Sequence, residues 1–309
     1  SATGLTRPEL EAEVVEMLDT LEQLHFNAIV FQVRPESDAL YSSAIEPWSR
    51  FVSGSQGVAP SEEFDPLAFV TEQAHARNIE VHAWFNPYRA KVSKQSAADP
   101  SHISEVLPEA ALAYGDLLWM DPGSEPVRGW FVDVIADVVA NYDIDGVHFD
   151  DYFYPYPNGE AFPDDATWAA YQQQGGDLSR DDWRRDNVNR LVEDVSTTIS
   201  ALRPDVRFGI SPFGIYRPGI PEGITGLDQY GELFSDPPVW IEQGWVDYLA
   251  PQLYWPSTQT AQAYGPLIAW WSTLTADGQG YVFAGNYLAK VGSEPKWSVD
   301  EFLTEIELS

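Results

Sequence analysis

The chain has 309 residues, 17 Lys and Arg against 48 Asp and Glu, a formal net charge of −31 and no cysteine. A field of that sign repels nucleic acid and anionic membranes and argues against both as partners. The lack of cysteine removes disulfides, thiolate metal sites and a cysteine nucleophile, and no run approaches the roughly 20 apolar residues of a membrane span.

The acidic residues are dispersed, so charge alone marks no site. The 12 Trp, 15 Tyr and 15 Phe are more informative. Many stand beside polar residues in loops, where an aromatic face can stack on a sugar ring. Trp130 and Trp271, at helical spacing, read instead as core.

In chain order, residues 9–25 show an amphipathic helix with Leu10, Val14, Met17, Leu18, Leu21 and Leu24 on one face. Residues 26–34 read as a buried strand stopped by Pro35. Asp65-Pro66 is a helix start, an N-cap followed by proline at the first helical position, and that helix runs to about Arg77. A strand over 79–85 ends in Asn86-Pro87. Residues 90–123 read as irregular. Pro126 opens a helix with Val127, Trp130, Phe131, Val134, Ile135 and Val138 inward.

The strand 146–149 ends at Asp150-Asp151. An aromatic loop over 152–186 leads to a helix carrying Val188, Leu191, Val192, Val195, Ile199 and Leu202. A strand over 207–211 stops at Pro212, and 216–245 is loop with short helical pieces. Strands at 246–250 and 280–286 flank a helix near 260–274, and a helix at 298–308 ends the chain.

Strand-helix alternation with apolar strands predicts parallel pairing through right-handed crossovers. No linker or repeat is evident, so a single domain over 1–309 is expected. The predicted fold is a TIM-type (β/α)8 barrel. About six strands are visible where closure needs eight, which places a first strand before Ser1 and a last one after Ser309. An open doubly wound sheet is the alternative. It fits less well, because no glycine-rich turn follows the first strand and every strand end carries polar side chains.

Those strand ends supply Gln32, Arg34, Glu36 and Asp38 from the first strand, and Trp84, Asn86, Tyr88 and Arg89 from the second. They supply Asp150, Asp151 and Tyr152 from the third and Ser211 from the fourth. Gln252, Tyr254 and Trp255 come from the fifth, and Asn286 and Tyr287 from the sixth. Carboxylates with aromatics suit glycoside hydrolysis, in which one acid protonates the leaving oxygen and a second group meets the oxocarbenium-like centre. His82 and His148 fall within strands without ligand spacing, so no metal and no cofactor is expected.

Neighbours on a strand face opposite sides. One of Asp150 and Asp151 is therefore expected at the barrel mouth and the other toward a flanking loop. If both approach the mouth, repulsion raises one pKa. A bland reading stands beside this one, in which Asp-Asp caps the following turn. Arg34 is balanced between an ion pair at a loop base and a substrate contact. Gln252 and Tyr254 read either as ligands to sugar hydroxyls or as satisfied rim polars.

Four motifs now point to a family. Phe31-Gln32-Val33-Arg34-Pro35 with Asp38-Ala39-Leu40-Tyr41 is the first, and the run from His82 to Arg89 is the second. Asp145-Gly146-Val147-His148-Phe149-Asp150-Asp151-Tyr152 and Pro251-Gln252-Leu253-Tyr254-Trp255 complete the set. In this order they resemble the bacterial glycosyl hydrolase-like family ten. The resemblance implies a TIM-type barrel and an Arg-Gly-Val-Trp-type strand ahead of Ser1. A characterised member resembles a divisome-associated hydrolase that cuts peptidoglycan glycan strands lacking stem peptides. The implied substrate class is thus N-acetylated wall glycan, and the implied location is secreted, periplasmic or in the cell envelope, although no leader is visible in this chain.

More distantly, the strand ending at Asp150 resembles the Asp-Gly-x-Asp-x-Asp-x-Glu strand of family-eighteen chitinases. Here His148 replaces the first inner Asp, and Tyr152 stands where the acid Glu falls. By that resemblance Asp150 orients the substrate acetamido group. The general acid then comes from elsewhere, with Asp151 the first choice and Glu36 or Asp38 in reserve.

The expected site therefore has Asp150 and Asp151 in chemistry. Gln32, Arg34, Asn86, Arg89, Gln252, Tyr254 and Asn286 would line subsites, with Trp84, Tyr152 and Trp255 as stacking platforms. The expected partner is a polysaccharide, and oligomeric state is not encoded legibly. Rival readings are a catalytically inactive carbohydrate-binding barrel and another polysaccharide-modifying enzyme, such as a deacetylase or lyase, on the same fold.

Overall fold

A computed structural model describes residues 6–60, 64–294 and 296–309. The chain groups into two compact units, one of Ser1–Asp177 with Thr197–Arg207 and the other of Leu178–Ser196 with Phe208–Ser309.

In the first unit, helix Arg7–Gln23 leads into β1 (Ala28–Arg34). The helix begins with a capping box in which the Thr6 backbone N–H donates to the Glu9 carboxylate at 2.8 Å. It ends where His25 takes a left-handed φ of 61°, so the strand starts two residues later than the apolar run suggests. Helix Pro66–His75, capped by Asp65 accepting from the Ala68 N–H at 3.0 Å, then delivers β2 (Glu80–Phe85).

Residues 90–123 are not irregular. They hold β4 (Ala111–Tyr114) and β5 (Leu117–Met120), and together with β3 (Arg89–Lys91) these form an antiparallel sheet in the order β3-β5-β4. The β4–β5 hairpin turns on Gly115-Asp116, with Gly115 at φ 57°. Gly-Asp between two apolar pairs is a hairpin signal that the sequence carried in plain view. Helix Glu125–Asn141 then buries Val127, Phe131, Val134, Ile135 and Val138 and precedes β6 (Gly146–Phe149), which is buried throughout.

The strands β1, β2 and β6 pair in parallel. Ala28 lies opposite Glu80 and Gln32 opposite Trp84, while Trp84 lies opposite His148 and Phe85 opposite Phe149. After Gln32 the register slips by one, so that Arg34 rather than Val33 opposes Phe85. This bulge re-aims the side chain that follows it. Coverage of the strands is uneven, since Val30 of β1 is 46% exposed where an apolar strand was expected to be covered on both faces. Among the described residues β1 has a parallel partner on one side only.

The stretch 152–186 is also more ordered than its composition suggests. It contains helix Asp165–Gln173 and the start of helix Arg180–Leu202. The shorter helix buries none of its residues and so carries no apolar stripe to read. It is fastened instead by the Thr167 hydroxyl donating to Asp121 at 2.7 Å. The longer one starts at a Ser-x-x-Asp cap, where the Asp182 N–H donates to the Ser179 hydroxyl at 3.2 Å.

In the second unit β7 (Arg207–Ile210), β8 (Tyr248–Leu249) and β9 (Tyr281–Val282) pair in parallel, with helix Tyr264–Thr273 between the last two and helix Val299–Leu308 at the end. The last strand is shorter than the expected 280–286. Beyond it, Gly285 keeps a single bridge to Gln252. The two further strands expected before Ser1 and after Ser309 lie outside the described residues.

Close approach explains one glycine in this ladder. A Cβ on Gly209 would sit 2.0 Å from the Tyr248 ring. Gly209→Ala is therefore expected to lower the unfolding free energy by about 1–3 kcal/mol through overpacking. Urea unfolding should show this loss, and the loss should shrink when Gly209→Ala is made in a Tyr248→Ser background.

Candidate active site

The registers of β1, β2 and β6 build the site. Gln32, Trp84 and His148 share one rung of the sheet, and side chains two residues apart share a face. Asn86 and Asp150, just past the ends of their strands, therefore project on the same side as Trp84 and His148. The Asp150 carboxylate accepts from the Trp84 indole N–H at 3.1 Å, from the Asn86 amide at 3.1 Å and from the Tyr152 backbone N–H at 3.2 Å.

Asp150 is only 6% exposed. Burial pushes its pKa up, and the negative charge of Asp151 adds to the rise. The Arg89 guanidinium, the Tyr152 N–H and the Trp84 N–H pull it back, and the balance lies at about 7. Repulsion within the acid pair was the expected cause. It contributes, but loss of water is the larger one.

Asp151 accepts a short hydrogen bond from the Tyr156 hydroxyl of its own loop. Burial and the charge of Asp151 drive the Tyr156 phenol well above its ordinary range. The Tyr156 ring meets Tyr152 edge-on at 5.7 Å, and Tyr152 in turn lies under Arg89, whose guanidinium carbon is 5.2 Å from the ring centre. Arg89 also donates to the Pro35 carbonyl at 3.2 and 3.1 Å, while its own backbone N–H donates to the Asn86 side-chain oxygen at 2.9 Å. Asn86 thus uses one end of its amide for Asp150 and the other for the turn that carries Arg89.

Below this cluster His148 is buried, and its pKa is forced down to about 3, mainly by burial and then by the neighbouring His82. His82 is shifted downward as well, also chiefly by burial. The floor of the site therefore holds neutral imidazoles at neutral pH. Among the described residues no cluster of His, Asp or Glu is arranged to hold a metal ion.

Several residues expected at the site are engaged within the fold. The bulge in β1 sends Arg34 to the Phe85 side of the strand. There the buried guanidinium donates to Glu46 at 2.7 and 2.6 Å and lies over the Phe131 ring at 4.9 Å. Arg34 is thus an internal ion pair rather than a surface offered to a ligand, and its partner is Glu46, not Glu36 or Asp38.

Glu36 accepts from Arg50 at 2.8 Å and from the Val92 N–H at 2.6 Å. Asp38 accepts from Gln56 at 2.9 Å and from the Glu36 N–H at 3.2 Å, and burial lifts its pKa to about 6. Both reserve acids are buried, Glu36 tying the loop after β1 to the residue that follows β3 and Asp38 tying it to Gln56. Gln32 keeps its place across the ladder from Trp84.

The remaining expected residues belong to the second unit. Gln252 bridges the chain near Phe213 and Gly285, and its amide donates to the Ser211 carbonyl at 2.9 Å. Tyr254 is 36% exposed and stands 5.1 Å from Tyr287. Trp255 packs edge-on against Phe213 at 5.5 Å, and Asn286 accepts from the Tyr264 hydroxyl at 2.9 Å.

The sequence reading missed Tyr156 and Trp119. Trp119 is buried beside Tyr152, with ring centres 6.3 Å apart, and its indole N–H donates to the Phe153 carbonyl at 2.9 Å, pinning the acidic loop. The run Tyr152, Tyr154, Tyr156 signalled an aromatic loop, but no spacing rule shows that it folds back onto Asp151.

This fold is that of the TIM-barrel glycoside hydrolases. The glycoside hydrolase domain of PgaB (BpsB) from Bordetella bronchiseptica superposes with a TM-score of 0.56 at 11% identity, over 88% of this chain and 77% of that one. A Paenibacillus cycloisomaltooligosaccharide glucanotransferase also reaches 0.56, at 14% identity, over 92% of this chain and 37% of that one.

The chain belongs to the glycosyl hydrolase-like 10 family, whose model matches residues 7–300. It is 41% identical to the glycosyl hydrolase YngK of Bacillus subtilis, over 100% of this chain and 62% of that protein. It is 35% identical to the glycosyl hydrolase DigH of Escherichia coli K12, over 99% of this chain and 74% of that one. It thus spans less than two thirds of the length of the Bacillus relative.

The raised Asp150 pKa has a consequence for stability. A carboxyl whose folded pKa lies above its unfolded value stabilises the fold while protonated, and that contribution is lost as pH rises toward the folded pKa. Asparagine at this position never ionises. Between pH 5 and pH 8, Asp150→Asn should therefore gain on the unsubstituted protein by roughly 1–3 kcal/mol of unfolding free energy. Denaturant titrations at the two pH values check this, and an unchanged difference would show that Asp150 titrates as an ordinary acid.

Proposed function

We propose that this protein hydrolyses O-glycosidic bonds within a polysaccharide, with Asp150 as the acid and base of the reaction. The observation that carries this reading is a buried carboxyl at the end of a parallel strand, held by Trp84 and Asn86 and balanced near pH 7. Such a group is protonated often enough at neutral pH to give a proton to a departing sugar oxygen. It also ionises readily enough to take one from water afterwards. Family membership supports the same chemistry.

Asp151 is assigned to the developing positive charge at the reacting carbon, with the Tyr156 hydroxyl fixing its direction. Where the sugar carries an acetamido group, that group can act as the internal nucleophile. The assignment of the acid to Asp150 rather than Asp151 reverses the roles that the chitinase resemblance implied. It rests on the balance of burial against donors at Asp150.

Trp84 and Tyr152 offer aromatic surface at this cluster, with Gln32 and Arg89 as polar contacts. In the second unit Tyr254 and Trp255 offer aromatic surface, and Gln252 and Asn286 supply amides. The substrate we propose is the one the family resemblance implies, N-acetylated peptidoglycan strands lacking stem peptides, and with it we propose that the protein works outside the cytoplasm.

The test is mass spectrometry of products from such strands, run with the unsubstituted chain, Asp150→Asn and Asp151→Asn. Shorter N-acetylated oligosaccharides should appear with the unsubstituted chain, and turnover should fall at least on the order of a hundredfold in each variant. Binding without cleavage by the folded, unsubstituted chain would favour a carbohydrate-binding role, and released acetate or an unsaturated sugar would reassign the reaction.

The pH profile provides a second check. Activity that needs protonated Asp150 should decline above about pH 7. The negative charge of Asp151 raises the Asp150 pKa and the positive charge of Arg89 lowers it. The alkaline limb should accordingly move to lower pH in any residual activity of Asp151→Asn and to higher pH in Arg89→Met.

A further inference from the structure

We infer that Arg34 is a positioning residue for Asp150, acting through Asn86 from the far side of the sheet. The inference rests on the reading of Asp150 as the reacting carboxyl. Arg34 is 1% exposed, on the opposite side of β1 from Gln32, and so cannot touch a ligand at the Trp84 face.

Its guanidinium nevertheless reaches the site by way of the backbone. One nitrogen donates to the Asn86 carbonyl at 2.5 Å and the Pro87 carbonyl at 3.1 Å, while the Arg34 carbonyl accepts from the Asn86 N–H at 3.0 Å. Both peptide groups flanking Asn86 are thus tied to one residue. The other two guanidinium nitrogens are held by the two oxygens of Glu46, and Glu46 is anchored by the Trp130 indole N–H at 3.1 Å. A planar fork clamped at both ends has little freedom to rotate.

What it clamps is a residue with two duties. The Asn86 amide donates to Asp150 at 3.1 Å and accepts from the Arg89 backbone at 2.9 Å. A lysine at position 34 keeps the charge but cannot hold Glu46 and two carbonyls in one plane. Asn86 would then be free to tilt, weakening a donor to Asp150 and loosening the turn that presents Arg89. Both losses make Asp150 hold its proton more tightly.

The experiment uses the unsubstituted chain, Arg34→Lys, Asn86→Ala and the double variant. The Asp150 titration is followed by carbon-13 NMR of labelled aspartate carboxyls, with Asp150→Asn identifying the signal. The expected result is an upward shift of the Asp150 midpoint in Arg34→Lys, with no additional shift when the change is made on the Asn86→Ala background. On a glycan that the protein cleaves, kcat should fall on the order of tenfold with KM nearly unchanged.

An Asp150 midpoint unmoved by Arg34→Lys, or moved equally in both backgrounds, overturns the inference. Should Arg34→Lys fail to fold, Glu46→Gln, which keeps the guanidinium and a neutral acceptor, is read by the same criteria. The NMR outcome is independent of turnover. A chain that cleaves no glycan yet shows the coupled shift defeats the hydrolase reading and keeps the positioning role.

Discussion

The parallel register between β2 and β6 is the constraint on which the acidic cluster depends. It sets Trp84 opposite His148 and Phe85 opposite Phe149, so the residues one step beyond, Asn86 and Asp150, emerge side by side. A slip of one residue would turn each side chain to the other face of its strand. The indole and the amide would then point away from the carboxyl. The backbone ladder thus does the work of bringing a donor pair to a buried acid, and the side chains need only be the right kind.

That buried acid is held between opposing effects of similar size. Loss of water and the charge of Asp151 favour the protonated form, while three donors and the Arg89 charge favour the ionised form. Neither set wins outright. The neutral histidines beneath do not tip the balance, because burial prevents them from gaining a proton. The other buried acids show what happens without such a contest at a strand end. Glu36 is taken up by Arg50 and a backbone amide, and Asp38 by Gln56 and a backbone amide, and both serve the loop that contains them.

Much of this was legible in the sequence. Apolar runs ending in polar residues located the parallel strands, and the position of Asp150 after Phe149 follows from period and strand length. The role of Arg34 was not legible, because the bulge between Gln32 and Arg34 has no signature in Gln-Val-Arg-Pro and alternation alone puts both residues on one face. Tyr156 was missed because loop closure onto Asp151 depends on Trp119 holding the Phe153 carbonyl, a contact between residues 34 apart. Helix Asp165–Gln173 escaped for the opposite reason, having no buried face and hence no periodicity to detect. The β4–β5 hairpin was readable, since Gly115-Asp116 marks it, and the long polar surroundings obscured it.

The bulge in β1 also bears on how this chain tolerates changes in length. A strand with regular alternation can lose or gain two residues and keep its faces. Here the extra residue at position 33 has already spent that parity. Deleting Val33 would leave Arg34 opposite Phe85 with its guanidinium still on the Glu46 side, whereas ironing out the bulge with Val33 retained would swing the guanidinium toward the Trp84 face. In the second case the buried Glu46 would be left without its cation. The face that Arg34 takes is therefore set by the bulge and not by the count of residues alone. A relative lacking the residue at Val33 could accordingly keep the same ion pair behind its acidic cluster, on a strand without a bulge.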